Sequence, residues 1–180
     1  SLFTGESAMR QILLSTLAAT ALVGLVAVPS SAQEETRVAG LSQPVEILVD
    51  HWGIPPIHAE TEEDLFFAQG YNAARDRLFQ LELWRRQVSG TLSELLGPRT
   101  LDKDIGARLL KYRGDLDQEL NHYHERGTEI FEAFVRGVNA YVAETEKDPS
   151  LLPEEFRLLN TQPGKWTTDV VVSRLNGLYS

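Results

Sequence analysis

The feature that most constrains the fold is a long amphipathic stretch, residues 61–97, with the sequence TEEDLFFAQGYNAARDRLFQLELWRRQVSGTLSELLG. Apolar residues recur in it at steps of three or four, which places them on one face of an α-helix. These residues are Phe67, Tyr71, Ala74, Leu78, Leu81, Trp84 and Val88. Thr61 and Asp64 have the spacing of a capping box, Gly90 interrupts the pattern, and Gly97 ends it. We therefore expect the rest of the chain to be arranged around this helix and to cover its apolar face.

A charged cluster lies in the middle of this helix, where Arg75, Asp76 and Arg77 separate two apolar runs and Gln80 follows. Charge so close to a buried face must be paired or must reach water. Asp76 has two interpretations: it accepts hydrogen bonds in a structural network where helices cross, or it belongs to an active site. We favour the structural interpretation, because buried charge more often marks a paired network than a reacting group.

The remaining periodicities predict a mostly helical α+β fold with one small hairpin. Alternating branched residues predict strands at 45–50 and 54–60, joined by a turn at His51, Trp52 and Gly53. Helical spacing and capping signals predict helices at 100–111, 115–122, 127–146 and 153–159, and a last one that begins at Thr167 or Thr168. Two strands alone are marginal in water, so we expect the hairpin to join a sheet supplied from elsewhere.

Composition excludes several kinds of site and partner. The 180 residues contain no cysteine, which excludes disulfides, thiolate catalysis and cysteine-ligated metals. The net charge of −9 argues against nucleic acid and anionic membrane surfaces as partners. His122 and His124 point to different sides of a helix, while His51 and His58 flank a turn, where a surface hydrogen bond is the expected role. We therefore predict no metal site in this segment.

The acidic residues show no catalytic pattern. The two acidic pairs are Asp102 with Asp104 and Asp115 with Asp117. Both lack the ligand spacing of a calcium loop, so we expect solvated charge. Glu82 with Arg85 and Arg86 has the spacing of ion pairs on a helix surface. Motifs for a serine elbow, a phosphate loop or a dinucleotide site do not occur in the sequence. The residues alone therefore give no complete catalytic set.

The N-terminus has the pattern of an export signal. Met9 and Arg10 precede an almost wholly apolar run, residues 12–28, and a small-x-small cleavage site ends at Ala32. Ser1 could be a nucleophile as an N-terminal serine, but cleavage would remove it. An uncleaved anchor is the alternative, although the apolar run falls short of about 20 residues.

We therefore predict four segments. Residues 1–8 are upstream read-through or vector-derived sequence, 9–32 a signal peptide, 33–43 a flexible linker and 44–180 a single domain. Export of a chain without cysteine fits a periplasmic or secreted protein, with no membrane contact after the signal is cleaved.

Several runs resemble the α-chain of the penicillin acylase (penicillin amidase) family. GYNAARDRLFQLELWRRQVSGTLSELLG at 70–97 is similar to the family's signature, and the preceding VEILVDHWGIPPIHAETEEDLFFAQG is similar to its hairpin and helix entry. RGVNAYV at 136–142, LPEEFRLL at 152–159 and KWTTDVV at 165–171 follow in matching order and spacing. The resemblance covers residues 44–180.

The resemblance implies an N-terminal nucleophile hydrolase. Members of this family are exported precursors that cut themselves into an α-chain, a spacer and a larger β-chain. The two chains form an αβ heterodimer with an αββα sandwich fold. The N-terminal serine of the β-chain attacks an amide and its own α-amine is the base, while backbone amides and an asparagine of the β-chain hold the oxyanion. Implied substrates are small amides: β-lactams, lipopeptides and acyl-homoserine lactones. The resemblance implies calcium for the complete enzyme. It implies neither catalytic residues nor a cofactor in this segment.

The resemblance also assigns roles to residues of this chain. Counting from the KWTTDVV run, the first acyl-pocket position falls near Leu178, with Gly177 and Tyr179 beside it; plain core packing is the alternative for Leu178. Asp76, Arg77 and Gln80 become a structural motif of the signature helix. We expect this chain to be the N-terminal fragment of such an enzyme and inactive alone. The alternative is a free-standing exported helical module that binds or scaffolds without catalysis.

Overall fold

Two short strands and seven helices form residues 37–177, the part of the chain that the computed structural model describes. The strands are β1 (Glu46–Ile47) and β2 (Ile57–His58). The helices are α1 (Glu62–Ser89), α2 (Ser93–Leu96), α3 (Leu101–Leu110), α4 (Leu116–Tyr123), α5 (Gly127–Lys147), α6 (Glu154–Leu158) and α7 (Thr168–Gly177). Single 3₁₀ turns lie at Pro98–Thr100 and Pro149–Leu151. The prediction of a mostly helical fold with one small hairpin is confirmed.

The hairpin is antiparallel, and Ile47 lies opposite Ile57. The Asp50 carboxylate accepts a hydrogen bond from the Ile54 amide at 2.8 Å, and Gly53 has a φ of 77°, which favours glycine. Each strand is only 2 residues long, shorter than predicted. A two-stranded ribbon is weakly held because no third strand within residues 37–177 pairs with it.

Helix α1 begins as the capping box predicts. The Thr61 hydroxyl accepts the Asp64 amide at 3.0 Å, and it also donates to the Asp64 carboxylate at 2.7 Å. The prediction that Gly97 ends the helix is wrong: α1 already ends at Gly90, whose φ of 66° is left-handed. At Arg77 the backbone leaves helical geometry, with φ −141° and ψ 36°, so α1 is kinked in the middle of the charged cluster.

The core lies between α1 and α5. All the predicted apolar residues of α1 are buried except Trp84, which is half-buried. From α5, Val138, Tyr141 and Val142 are buried as predicted, whereas Ile130 and Phe134 are half-buried. Phe156, Trp166 and Val170 close the same cluster from α6, the following loop and α7. The order of elements thus matches the prediction that the chain is arranged around the long helix.

Part of the predicted linker contacts this core. Val38 and Leu41 pack against the buried cluster, and Ser42 bonds to Asp64 at the start of α1. Residues 33–36 of that linker, the predicted signal peptide at 9–32 and residues 1–8 lie outside the described residues. The boundaries of these segments stay predictions. Among residues 37–177, no helix combines the length and the apolar composition needed to cross a membrane.

Candidate functional site

The predicted acyl-pocket residues lie at the C-terminal end of α7. Gly177 is the last residue of that helix, whereas Leu178 and Tyr179 fall outside the described residues. Their role as pocket residues stays a prediction. The structure does define the contacts that hold the N-terminal part of α7 against the rest of the chain.

The N-terminal end of α7 is fixed by Asp169. Its carboxylate pairs with Lys111 at 2.9 Å, just after α3, and accepts a hydrogen bond from the Thr167 hydroxyl. Burial by itself would raise the pKa of the Asp169 carboxyl, but these two donors outweigh it and hold the pKa below its ordinary value. Val170 follows in the core, so one turn of α7 is held by both charge and packing.

A buried carboxylate on α1 holds the loop that precedes α7. Glu82 is only 2% exposed. One of its oxygens accepts Arg85 Nη2 at 2.7 Å and Arg86 Nε at 2.6 Å, and the other accepts Arg85 Nε at 2.9 Å and the Gly164 amide at 2.9 Å. Burial would raise the pKa of Glu82, but the hydrogen bonds from Arg85, Gly164 and Arg86 keep it lowered.

The interpretation of Glu82, Arg85 and Arg86 as surface ion pairs is wrong. The spacing of three and four residues is that of helix-surface pairs, and the pairs do form. The loop around Gly164, however, folds over this face of α1 and removes the carboxylate from water. Local helical spacing carries no information about a segment 82 residues later in the chain.

Asn139 on α5 holds the same loop from the other side. Its side-chain amide donates to the Trp166 carbonyl at 2.9 Å, and its side-chain oxygen accepts the Trp166 amide at 2.8 Å. The indole of Trp166 is itself buried in the core. The role of Asn139 was not predicted, although the residue lies within the RGVNAYV run, where it is a polar residue next to buried positions.

Two further buried carboxylates hold other loops. Asp104, expected to be solvated, is 3% exposed and accepts the amides of Leu92 and Ser93, each at 2.8 Å. That expectation is wrong, because the loop after α1 folds onto α3. Asp64 accepts the Ser42 amide at 2.8 Å and the Ser42 hydroxyl at 2.6 Å. The capping-box spacing pointed to Asp64, whereas the sequence contained no signal for the burial of Asp104.

The charged cluster of α1 is exposed. Asp76 has 47% of its side chain in solvent, accepts a hydrogen bond from Asn72 at 3.1 Å and lies 3.7 Å from Arg75. Both partners belong to α1 itself, so in this structure Asp76 does not bridge crossing helices. Arg77 and Gln80 are exposed as well. The role of Asp76, Arg77 and Gln80 as a structural motif remains a prediction.

Other candidate sites are weak. Residues 37–177 contain no group of three or more histidine or acidic side chains that could hold a metal ion. A recess of about 140 Å³ lies between the starts of α1 and α5. It is smaller than ligand pockets usually are. Its charged lining is occupied by the ion pairs of Arg126 with Glu62 and of Arg136 with Glu63.

A sequence model of the family described as Penicillin amidase matches residues 44–178. The chain belongs to the penicillin amidase family. It is therefore a member of an amide-hydrolysing enzyme family, as the resemblance of its signature helix implied. The matched residues include the hairpin, every helix described above and the predicted pocket position at Leu178.

Curated relatives of this penicillin amidase family member are acylases. The chain is 36% identical over 143 residues to penicillin acylase 2 proenzyme of Pseudomonas sp. (strain SE83), which covers 78% of this chain and 18% of the relative. It is 36% identical over 105 residues to acyl-homoserine lactone acylase QuiP of Pseudomonas aeruginosa, and this match covers 58% of this chain and 12% of the relative. The chain thus spans less than a fifth of the length of these relatives.

A solved structure is similar as well. Thermostable penicillin G acylase from Alcaligenes faecalis superposes with a TM-score of 0.68 at 30% sequence identity, over 77% of this chain and 73% of that chain. The mostly helical arrangement with its small hairpin is therefore the one found in a penicillin acylase.

Proposed function

We propose that this chain is the N-terminal part of an exported penicillin-acylase-like precursor, which hydrolyses a linear amide and releases its acyl group. The observation that carries the proposal is the family match, which runs from residue 44 to residue 178. The acyl group would come from a β-lactam, a lipopeptide or an acyl-homoserine lactone. The names of the relatives, penicillin acylases and acyl-homoserine lactone acylases, support this choice of substrates.

The chemistry would belong to a partner β-chain of the same precursor. Its N-terminal serine attacks the amide carbonyl and its own α-amine takes the proton, so the catalytic set needs no side chain of this segment. Backbone amides and an asparagine of the β-chain stabilise the oxyanion. This chain contributes a framework and one wall of the acyl pocket at Gly177, Leu178 and Tyr179. Alone it is inactive.

Exposed apolar side chains support the presence of a partner chain. Leu101, Ile105 and Leu109 form one stripe along α3, and Leu109 is 70% exposed. Trp52, 77% exposed, stands at the tip of the hairpin. Large apolar surface of this kind marks an interaction site. We propose that a β-chain covers both surfaces and completes an αββα arrangement with the hairpin as part of a larger sheet.

Export and calcium are further parts of the proposal. A signal peptide at 9–32 would deliver the precursor to the periplasm or the medium, which the apolar run at 12–28 supports. The complete enzyme would bind calcium, which the resemblance to the family supports. No catalytic step is assigned to the ion.

The test is expression of the complete open reading frame followed by amide-hydrolysis assays on phenylacetyl and fatty-acyl amides of one chromogenic amine. We expect acyl release, and mass spectrometry should find a processed chain that begins with serine. Replacing that serine by alanine should abolish both results. A stop codon after Ser180 with no partner frame nearby, or a complete protein that hydrolyses none of these amides, would favour the non-catalytic binding module instead.

Leu178 offers a test of the pocket assignment. Leu178→Ala and Leu178→Phe should shift the ratio of kcat/KM between short and long acyl chains and leave maturation intact. A hydrophobic pocket discriminates one methylene by about 10-fold or more, so the effect is measurable. Unchanged kinetics across acyl lengths would remove Leu178 from the pocket and support the alternative of plain core packing.

A further inference from the structure

The loop between α6 and α7, residues 159–167, is held at two neighbouring points by two different helices. Glu82 on α1 accepts the Gly164 amide at 2.9 Å. Asn139 on α5 holds both polar backbone groups of Trp166, at 2.8 and 2.9 Å. Arg86 adds a fourth hydrogen bond, to the Thr161 hydroxyl at 3.2 Å. The chain thus enters α7 from a backbone position fixed by both long helices of the core.

The Glu82 carboxylate is suited to hold a backbone amide in one place. Two guanidinium groups, those of Arg85 and Arg86, occupy its other acceptor positions and keep its orientation. Charge-assisted bonds of this kind are shorter and stronger than neutral ones. The fit is also close on the other side, because a Cβ built on Gly164 would overlap the guanidinium of Arg85. A side chain at residue 164 would therefore require the Arg85 guanidinium to move away from its present position.

Asn139 removes the remaining freedom of the loop. The Asn139 side-chain amide both donates to and accepts from the backbone of Trp166. The two bonds together fix the orientation of that backbone as well as its distance from α5. Helix α7 begins at Thr168, two residues after Trp166. Rotation or translation of α7 along the core would therefore break bonds to Glu82, to Asn139 or to both.

We propose that Glu82 and Asn139 are positioning residues, which set the place of α7, the helix that leads into the predicted acyl-pocket positions, and so affect acyl preference. This inference rests on the proposed function, since it concerns the pocket of that enzyme. Neither side chain touches the substrate. Each acts through the α6–α7 loop, and a displacement of about 1 Å far from the chemistry can change rates by up to 100-fold.

The chain supplies a matched control for this proposal. Asp64 is a carboxylate of α1 as buried as Glu82, and it too holds a loop through backbone amides and a hydroxyl. Its loop, residues 42–43, lies before α1 and is not joined to α7. Loss of either carboxylate should destabilise the protein, whereas only loss of Glu82 should displace the pocket wall.

The experiment uses the complete protein and four variants: Glu82→Gln, Asn139→Ala, Gly164→Ala and the control Asp64→Asn. kcat and KM are measured for amides of one chromogenic amine with a short and a long acyl chain. For the first three variants we expect the ratio of the two kcat/KM values to change by about tenfold, mainly through KM of the preferred chain. Asp64→Asn should lower thermal stability and keep the wild-type ratio.

A second readout does not depend on activity. Hydrogen exchange of backbone amides in residues 161–173, relative to that of amides in α5, should be faster in Glu82→Gln and Asn139→Ala than in wild type. This relative rate should be unchanged in Asp64→Asn. If Glu82→Gln fails to mature, Gly164→Ala tests the positioning role in its place. The added methyl group would displace the Arg85 guanidinium, and every charge would be retained.

Three results would overturn the inference. One is a set of mature variants that are less stable but keep the wild-type ratio of acyl preference. Another is equal exchange in residues 161–173 for Glu82→Gln and Asp64→Asn. The third is a wild-type protein that hydrolyses no amide, which overturns the proposed function as well. An active wild type with unchanged ratios in the variants overturns only the positioning role.

Discussion

Gly137 on α5 lies directly against the backbone carbonyl of Phe67 on α1, so closely that a Cβ on Gly137 would overlap that oxygen. Gly70 makes the reciprocal approach to the carbonyl of Phe134. The two long helices therefore cross with their backbones in contact at a pair of glycines. Backbone atoms within packed helices cannot move aside as a flexible side chain can, so the crossing distance depends on both residues remaining small.

Gly137→Ala should therefore destabilise the complete protein by about 1–3 kcal/mol or more, the usual cost of overpacking a core. Gly106→Ala is the matched control, since Gly106 lies inside α3 and a Cβ there would meet nothing within 4 Å. It should leave stability unchanged or raise it by up to about 1 kcal/mol through better helix propensity. Thermal unfolding of both variants measures the difference, and equal melting temperatures would contradict the close crossing.

Asp64 should make stability depend on acid. Burial alone would raise its pKa, but hydrogen bonds from Ser42, Thr61 and Gln43 prevail and lower the pKa below the ordinary value of 3.8. The unfolded chain then binds the proton more readily, so the stabilisation is complete above pH 3.8 and is lost as pH falls below it through the folded pKa.

We expect Asp64→Asn to cost about 1–3 kcal/mol at pH 7, because an amide cannot accept all these donors. The gap in unfolding free energy between wild type and variant should narrow as the pH drops below 3.8. Denaturant titrations from pH 7 to pH 3 measure this gap. Asp102→Asn, which alters an exposed carboxylate of α3, should change stability by less than about 0.5 kcal/mol at pH 7. A difference in unfolding free energy that grows as the pH falls would contradict the lowered pKa of Asp64.

The apolar stripe of α3 gives a prediction about assembly. Leu109→Gln should not destabilise this chain expressed alone, since the side chain is already in water, and it should increase the soluble yield of residues 33–180. In the complete protein the same change should weaken association with the proposed β-chain. Lys103→Gln, an exposed change on the same helix, is the control. Normal assembly of the Leu109 variant would show that the stripe is not covered by the partner.

Residues 33–180 alone should expose apolar surface. We expect binding of a hydrophobic dye and poor solubility, because Leu101, Ile105 and Leu109 are 50%, 49% and 70% exposed. Dye fluorescence and size-exclusion chromatography would measure this. A compact monomer that melts cooperatively and binds no dye would speak against the proposed partner chain and for the free-standing module.

Asp76→Ala separates the two interpretations of the charged cluster. In residues 33–180 alone it should change stability by less than about 1 kcal/mol, since the pair with Arg75 is exposed. In the complete protein it should impair folding or self-cleavage and leave acyl preference unchanged. Gln69→Ala, another exposed position of α1, is the control. Normal processing combined with altered acyl preference would place Asp76 in the active site instead.

The sequence predicted the parts of the fold that depend on local periodicity. The buried face of α1 and the cap at Thr61 follow from spacing within one or two helical turns, and the structure confirms them. The predicted end at Gly97 was wrong, because the helix already stops at Gly90 and a separate short helix follows. The hairpin position was also correct, but its strands are shorter, because their length depends on neighbours that periodicity does not describe.

The burial of polar residues could not be predicted in the same way. Glu82 and Asp104 have the local pattern of surface charge, yet loops that begin far along the chain cover Glu82 and nearby loops cover Asp104. Asp76 shows the opposite case, since its charged cluster lies between two apolar runs of the sequence while its own side chain is exposed to solvent. Whether a charge is buried depends on tertiary contacts, which the residue pattern of a single helix does not predict.

The cover of α1 also determines when the core can form. Its apolar face is closed by α5 and then by Phe156, Trp166 and Val170, all of which follow α1 in the chain. During translation α1 therefore emerges tens of residues before its partners exist, and its apolar face remains open to chaperones in that interval. Such non-local contacts also make folding slow. The native core can close only once residue 170 has been translated, so binding by a holdase during synthesis should compete with premature folding or aggregation.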